Sequence, residues 1–377
     1  MKRSHILSTI RKGGATMLII LVIFITGILI LMGVLLAMSP GKAEPFLDKN
    51  GNLMEGSISE KIRININGVE QGMFIQGKDS TNPVLLYLHG GMPFYFLSKK
   101  YPAGLEDYFT VVWWEQRGSG MSYSADIPTE SITLEQLISD TREVTNYLRM
   151  RFGKDKIYLM GHSGGTFIGI YAAAQMPELY HAYIGVAQMS YQLKSEKLAY
   201  DYMVAKYREN GNRKMLRKME SAPVTLTDGT PDSYLKLRDQ AMHSLGVGTT
   251  RDMNSVITGV FLPSLTCSGY TLMEKVNMWR GKSQSGVSWL WETILATDLT
   301  AGVPEVGIPV YFFHGIYDYT VSYSLTQNYF ERLKAPLKGF YTFEHSAHSP
   351  VFEEPDKMKK ILLTDVLTGS NSLTDKK

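Results

Sequence analysis

One cysteine, Cys267, occurs in a chain of 377 residues. A lone thiol excludes an intramolecular disulfide and a cysteine-based zinc cluster, so folding does not depend on an oxidising compartment. Charge of one sign is also scarce. Lys and Arg number 39 against 36 Asp and Glu, a net charge of +3, and the basic residues are dispersed rather than striped, so nothing here is a footprint for nucleic acid. The eight histidines form neither H-E-x-x-H nor H-x-H. His345 and His348 stand three apart, but no neighbouring cluster completes a metal site. No G-x-G-x-x-G or Walker A loop is present, and no internal repeat is visible. Neither metal nor cofactor is expected. What remains is an ordinary globular composition, 44% hydrophobic and 20% charged, long enough for one large α/β domain with an insertion.

The front of the chain departs from that composition. Met17–Met38 (MLIILVIFITGILILMGVLLAM) carries no charged residue. A helix of that length spans about 33 Å, against about 30 Å for a hydrocarbon core. Lys2, Arg3, Arg11 and Lys12 precede it, so residues 1–16 stay in the cytoplasm and everything after Ser39 is exported. A cleaved signal peptide fits less well. Its apolar region usually runs about 7–15 residues, and Ala37-Met38-Ser39 is a poor cleavage site. Residues 39–58, with Pro40, Gly41, Pro45, Gly51 and Gly56, read as a linker after a single-pass anchor.

Beyond the linker, Lys61–Asn67 alternates apolar and polar residues, and Val69–Gln76 reads as its return strand. Continuous apolar runs follow at Val84–Leu88, Phe109–Trp114, Lys156–Met160, Tyr183–Gln188, Val310–Phe313 and Phe340–Phe343. Such runs suit strands covered on both faces. Thr133–Phe152 has helical spacing with Gly153 at its end, and Gly164–Gln175 is small and apolar like a helix buried against a sheet. Alternating strands and helices imply a mostly parallel sheet. Between about Ser190 and Thr297 the strand pattern stops, and 191–297 reads as an inserted helical cap; the bland alternative is a set of surface helices. Its aromatics Tyr270, Trp279, Trp289 and Trp291 suggest an apolar pocket. Residues 368–377 read as a flexible tail.

The chemistry centres on Gly161-His162-Ser163-Gly164-Gly165, a G-x-S-x-G segment between a strand and a helix. That context holds a serine on a sharp turn, with small residues letting the backbone pass closely. The Gly164 amide then sits at a helix N-terminus, where it can donate to an oxyanion. A second donor should come from the loop His89-Gly90-Gly91-Met92-Pro93, either Gly91 or Met92; His89 itself reads as structural. The serine needs a base late in the chain, and His348 is favoured over His345. An acid should follow a strand between the two. Asp318, just beyond the 310–313 strand, meets that condition more directly than Asp298 or Glu305. Asp140, mid-helix and before the serine, reads as a helix-surface or capping residue.

Taken together, HGGMP at 89–93, WWEQRGSGMS at 113–122, GHSGG at 161–165, HGIYD at 314–318 and SAHSPVFEEPDK at 346–357 resemble the α/β-hydrolase superfamily, in its proline iminopeptidase-like group. The resemblance spans about Glu60 to Lys360. It implies an α/β-hydrolase core at 59–190 and 298–367, a cap between them, a Ser163–Asp318–His348 triad, and hydrolysis of small amide or ester substrates. The peptidases of that group have HGGPG where Met92-Pro93 stands, Asp at Glu115 and Trp at Gly164. The cap acids that would bind a substrate's free amine are not assigned, and Glu196, Glu209 and Glu220 read as charged helix residues. Serine at 163 argues against epoxide hydrolase and dehalogenase chemistry, which use aspartate there. The expectation is a membrane-anchored serine hydrolase for a small-molecule or peptide substrate, esterase-like or aminopeptidase-like. A non-catalytic binding or signalling module on the same fold is the alternative.

Overall fold

The computed structural model describes residues 2–376, with side chains from residue 16 onward. The side chains of Lys2, Arg3, Arg11 and Lys12 lie outside the described residues. The chain opens with a helix, Lys2–Ala37. Its stretch Thr16–Ala37 is long and apolar enough to cross a membrane, with mean hydropathy 3.2 and none of it buried against the rest. Residues 39–58, read as a linker, are pinned at their start. Buried Lys275 donates to the Met38 carbonyl at 2.8 Å and to Ser39 Oγ at 2.9 Å. Lys61 reaches the Gly41 carbonyl at 3.1 Å.

Eight strands follow: β1 (Ile58–Ile66), β2 (Val69–Gly77), β3 (Val84–Leu88), β4 (Thr110–Trp114), β5 (Ile157–His162), β6 (Tyr180–Val186), β7 (Val310–Gly315) and β8 (Lys338–Phe343). They form one sheet in the order β1-β2-β4-β3-β5-β6-β7-β8. The β1–β2 hairpin is antiparallel, as is its junction with β4, and all later pairings are parallel. The alternate residues of each central strand feed two cores. Leu86, Leu88, Leu159 and Phe312 pack on one face, and Leu85, Tyr87, Met160 and Phe313 on the other. This two-sided burial is why the strands read as unbroken apolar runs. From β3 the chain moves outward to β4 and then returns to the other side for β5. The loops leaving β3 and β5 therefore diverge and open a crevice at their carboxyl ends.

Residues 191–297 are largely helical but pack in two ways. The helices Gln192–Glu209, Arg213–Glu220 and Asp232–Ser244 build a small core of their own around Met203, Tyr207, Met219, Tyr234 and Met242. The later stretch joins the main body instead: Met253, Val260, Tyr270 and Met278 extend one sheet-face core, and Val287, Leu290 and Ile294 the other.

Two details differ from the sequence reading. Asp140 is fully buried rather than on a helix surface. It takes Arg117 Nε at 2.7 Å and Nη2 at 2.9 Å, along with Asn67, Gln71 and Gln136. Both carboxylate oxygens are thus engaged, which is the condition for burying a charge. The tail expected to be flexible lies along β8 as far as Lys376. Phe340 N–H donates to the Lys376 carbonyl at 3.1 Å, and Asp375 N–H to the Phe340 carbonyl at 2.9 Å. The Asp365 carboxylate holds the amides of Ser372 and Leu373, both at 2.8 Å. The edge of β8 offers open backbone groups, and the tail satisfies them.

Candidate active site

β5 runs straight into the turn at Ser163, whose backbone sits at φ 56° and ψ −128°. A non-glycine residue there stores about 1–3 kcal/mol of strain. The surroundings impose it. Ser163 N–H is held by the Val186 carbonyl at 3.0 Å, and its own carbonyl accepts from Thr166 N–H at 2.8 Å. The helix Gly164–Gln175 then begins directly. A Cβ at Gly165 would run into the Leu88 carbonyl, and one at Gly161 would meet the Gly165 carbonyl at 2.7 Å. The small residues thus let the helix cross β3 closely. Ser163 faces a cavity of about 450 Å³ whose wall includes Gly91, Met92, Met189, Val287, Trp291 and His348.

His348 arrives from the loop after β8. Its Nδ1 donates to Asp318 Oδ2 at 2.8 Å, while Asp318 Oδ1 accepts the amides of Thr320 and Val321 at 2.8 and 2.9 Å. Burial opposes ionisation of Asp318, but His348 and His314 outweigh it and hold the carboxyl well below the usual range. His314 Nε2 stands 3.3 Å from the same Oδ2. An ionised acceptor at Nδ1 leaves Nε2 as the basic nitrogen of His348. His345, the rival, lies on the exposed part of the loop. Asp298 caps the helix Leu299–Gly302, and Glu305 pairs with Lys334 through its backbone.

Several residues that fix this arrangement carried no role in the sequence reading, or, like His162, only a place in the turn around Ser163. His162 is buried. Its Nε2 donates to the His348 carbonyl at 2.8 Å, so its Nδ1 accepts from Tyr87 Oη at 2.8 Å. Burial, with His348 nearby, lowers its pKa to about 3, which keeps it neutral. Glu353 accepts the amides on either side of His348, from Ala347 at 2.9 Å and Ser349 at 3.3 Å, and also Arg251 N–H at 2.6 Å. Burial pushes its carboxyl up to about 7. Glu354 takes His345 N–H at 3.0 Å and Ser346 Oγ at 2.6 Å. The two adjacent acids of the EEP segment were the available signal, but a pair of glutamates before a proline reads equally well as a helix start.

On the other side of the crevice, His89 Nδ1 donates to the Gly90 carbonyl at 2.8 Å, and Nε2 accepts Gln116 N–H at 3.1 Å. This fixes the loop that carries Gly91 and Met92. The glycine pressed against Ser163 is Gly90, where a Cβ would fall 2.8 Å from the serine Cβ; Gly91 has open space around it. Glu115 is buried, and burial pushes its carboxyl up to about 7. It accepts Tyr270 Oη and Met121 N–H, both at 2.5 Å. Of the four aromatics expected in a pocket, Trp291 lines the cavity. Tyr270 is spent on Glu115, Trp279 donates to Ser264, and Trp289 is 47% exposed.

Above Ser163 the space next to Gly164 is filled from the insertion, for a Cβ on Gly164 would collide with Val287. Among the insertion's acids, Glu196 is buried and consumed. Arg238 Nε and Nη2 donate to it at 2.7–3.0 Å, with Tyr234 and Gln192 each at 2.8 Å. Glu209 and Glu220 form exposed pairs with Lys206 and Arg208. Among the described residues, Asp239 is the one carboxylate on the cavity wall, with Arg238 Nη1 3.4 Å and Lys282 Nζ 4.0 Å away.

The sequence model for the alpha/beta hydrolase fold matches residues 83–355. The chain belongs to the α/β-hydrolase family. Within that family, a probable aminopeptidase of Bacillus subtilis (YbaC) is 32% identical over 303 residues, covering 79% of this chain and 93% of its own length. A proline iminopeptidase of Saccharolobus solfataricus is 23% identical over 300 residues, 75% of this chain and 84% of its own. Among solved structures, a proline iminopeptidase-related protein from Thermus thermophilus shares the fold with a TM-score of 0.54, at 18% identity over 81% of this chain and 98% of that one. The chain is thus an α/β-hydrolase-fold protein similar to aminopeptidases and proline iminopeptidases.

Proposed function

We propose that the chain is a serine hydrolase, anchored in the membrane through Thr16–Ala37 with its body on the extracytoplasmic side, that cleaves small amides or esters by way of an acyl-enzyme. The observation that carries the reading is the strained Ser163 on the wall of a 450 Å³ cavity shared with His348, whose Nδ1 is tied to Asp318 at 2.8 Å. His348 Nε2 takes the Ser163 proton as Oγ attacks the substrate carbonyl. The imidazolium so formed is stabilised by the ionised Asp318. The oxyanion is met by the Gly164 amide, at the start of a helix, and by an amide of the Gly91–Met92 stretch. His348 then passes its proton to the departing amine or alcohol. Water, deprotonated by the same nitrogen, releases the acyl group and restores Ser163.

A fluorophosphonate probe tests this in the full chain. Wild type is expected to be labelled covalently, and Ser163→Ala to be unlabelled with kcat lower by about 10⁶. An unlabelled, inactive wild type would leave the non-catalytic reading in its place.

The aminopeptidase reading is favoured over the esterase one by the names of the relatives and by Asp239 on the cavity wall, whose carboxylate a substrate's free amine would share with Arg238 and Lys282. Turnover of aminoacyl-anilides against p-nitrophenyl esters separates the two.

A further inference from the structure

The segment Ile257–Thr266 presents two faces. Val256, just before it, and Val260 line the cavity. Ile257, Phe261 and Leu262 point outward, 64%, 37% and 45% exposed. The next helix, Leu272–Gly281, adds Met273 and Val276 to the exposed apolar surface. A group of large apolar side chains left in water marks an interaction surface.

The end of the apolar helix says what covers it. That helix finishes at Ala37, and the residues after it are fastened to the same region. Pro40 forms a bridge with Thr271, and Gly41 N–H donates to the Ser268 carbonyl at 3.0 Å. Lys275 spends its ammonium on the Met38 carbonyl, Ser39 Oγ and the Leu265 carbonyl. The surface of a bilayer crossed by Thr16–Ala37 therefore begins at residues that 265–275 hold in place. Lys99 and Lys100, both exposed, share a groove with Pro263 and Thr266, and among the described residues neither enters an ion pair. Glu44 in that groove is engaged by the Ser268 hydroxyl. An apolar face with a basic rim suits an interface of anionic headgroups.

We propose that the face formed by Ile257, Phe261, Leu262, Met273 and Val276 seats in the outer leaflet of the bilayer that the anchor crosses, so that the hydrolase body is docked on the membrane rather than tethered above it. This rests on reading Thr16–Ala37 as an uncleaved anchor. Because the same segment supplies Val256 and Val260, lipid contact and one cavity wall are the two sides of a single element.

The test uses the full chain reconstituted in vesicles of equal parts phosphatidylethanolamine and phosphatidylglycerol. Single cysteines replace Ile257, Phe261 or Leu262 in a Cys267→Ala background and carry an environment-sensitive fluorophore. Arg332→Cys is the control, exposed beside β8, at the far edge of the sheet from the β1 side where Lys61 holds Gly41. The expected result is blue-shifted emission at the three sites, quenched by a nitroxide on the lipid chains and spared by aqueous iodide, with the control showing the reverse. Three labels that behave like the control, in a chain that alkaline carbonate leaves in the membrane, overturn docking and leave the anchor standing. Labels shielded from water but untouched by the lipid nitroxide mean that a second copy or another protein covers the face, which also overturns it. A chain that carbonate extracts overturns the anchor reading, and docking with it.

Discussion

Below Ser163 the groups that hold His348 are bonded to one another, while across the cavity Gln192 and Trp291 leave polar atoms open on its wall. The unpartnered His314 Nδ1 and Ser349 Oγ below do not line the cavity. On the floor, Tyr87, His162 and the His348 carbonyl form a chain of hydrogen bonds, and Glu353 and Glu354 clamp the His348 loop from beneath. On the roof, Gln192 Oε1 and Trp291 Nε1 are buried without a partner, and Asp239 and Lys282 are half exposed. Both Gln192 and Trp291 line the cavity. Unpaired buried groups are costly unless something else completes them. Under the proposed chemistry the floor, whose bonds to His348 are made without substrate, would set the rate, and the roof, whose open atoms face the cavity, would select the substrate.

If that division holds, variants on the two sides must fail differently. The largest effect belongs to the floor. Asp318→Asn is expected to lower kcat by about 10⁴, through loss of the tautomer and of the charge opposite the imidazolium, while leaving the fold and KM near wild type. A comparable rise in KM would blur the distinction. Next comes the roof's own scaffold. Arg238→Ala leaves Glu196 buried and unpaired, and is expected to cost about 3–5 kcal/mol. Hydrogen exchange should show that loss confined to 192–247, with Ser163 still labelled by a fluorophosphonate. Loss of labelling in parallel would mean that floor and roof fold as one unit.

A smaller effect concerns Glu115, beneath the crevice. A carboxyl raised from its usual value to about 7 holds its proton more tightly folded than unfolded, so stability falls as pH rises through that window. Between about pH 5 and about pH 8, Glu115→Gln is expected to spare roughly 3 kcal/mol of that loss, read by urea unfolding of the full chain. An equal pH dependence in both proteins would remove Glu115 as its source. The smallest effect is on the roof surface. Asp239→Asn is expected to raise KM for aminoacyl-anilides about tenfold and to leave esters unchanged, the discount reflecting its exposure to water. Equal effects on both substrates would take the amine away from Asp239.

The floor was also the legible half. Strands buried on both faces announce themselves as apolar runs, and several end in a short motif, so Ser163, Asp318 and His348 could be picked out as candidates from order and context. Residues that act by holding others could not. Asp140 belongs to a helix whose pattern says nothing about Arg117, Asn67 and Gln71 converging on it from the β1–β2 hairpin and the loop after β4. Glu353 reads as a helix-start acid, and its value lies in two amides that flank His348. The insertion was visible as a break in the strand pattern. Its division into a small core of its own at 199–247 and a stretch absorbed by the body was not, because both halves read as helical. Val287, seated over Gly164, lies more than a hundred residues from the glycine whose space it fills.

The tail along β8 has a practical meaning of its own. β8 is the outermost strand of an eight-stranded sheet, and residues 374–376 occupy the backbone groups it turns outward at Phe340. Trimming the chain near Gly369, an inviting place to shorten an expression clone, would bare a strand edge flanked by Phe340, Tyr341 and Phe343. Such an edge is a template for neighbouring molecules, so the shortened protein would be expected to self-associate with its cavity intact. These few polar residues serve as a guard against aggregation.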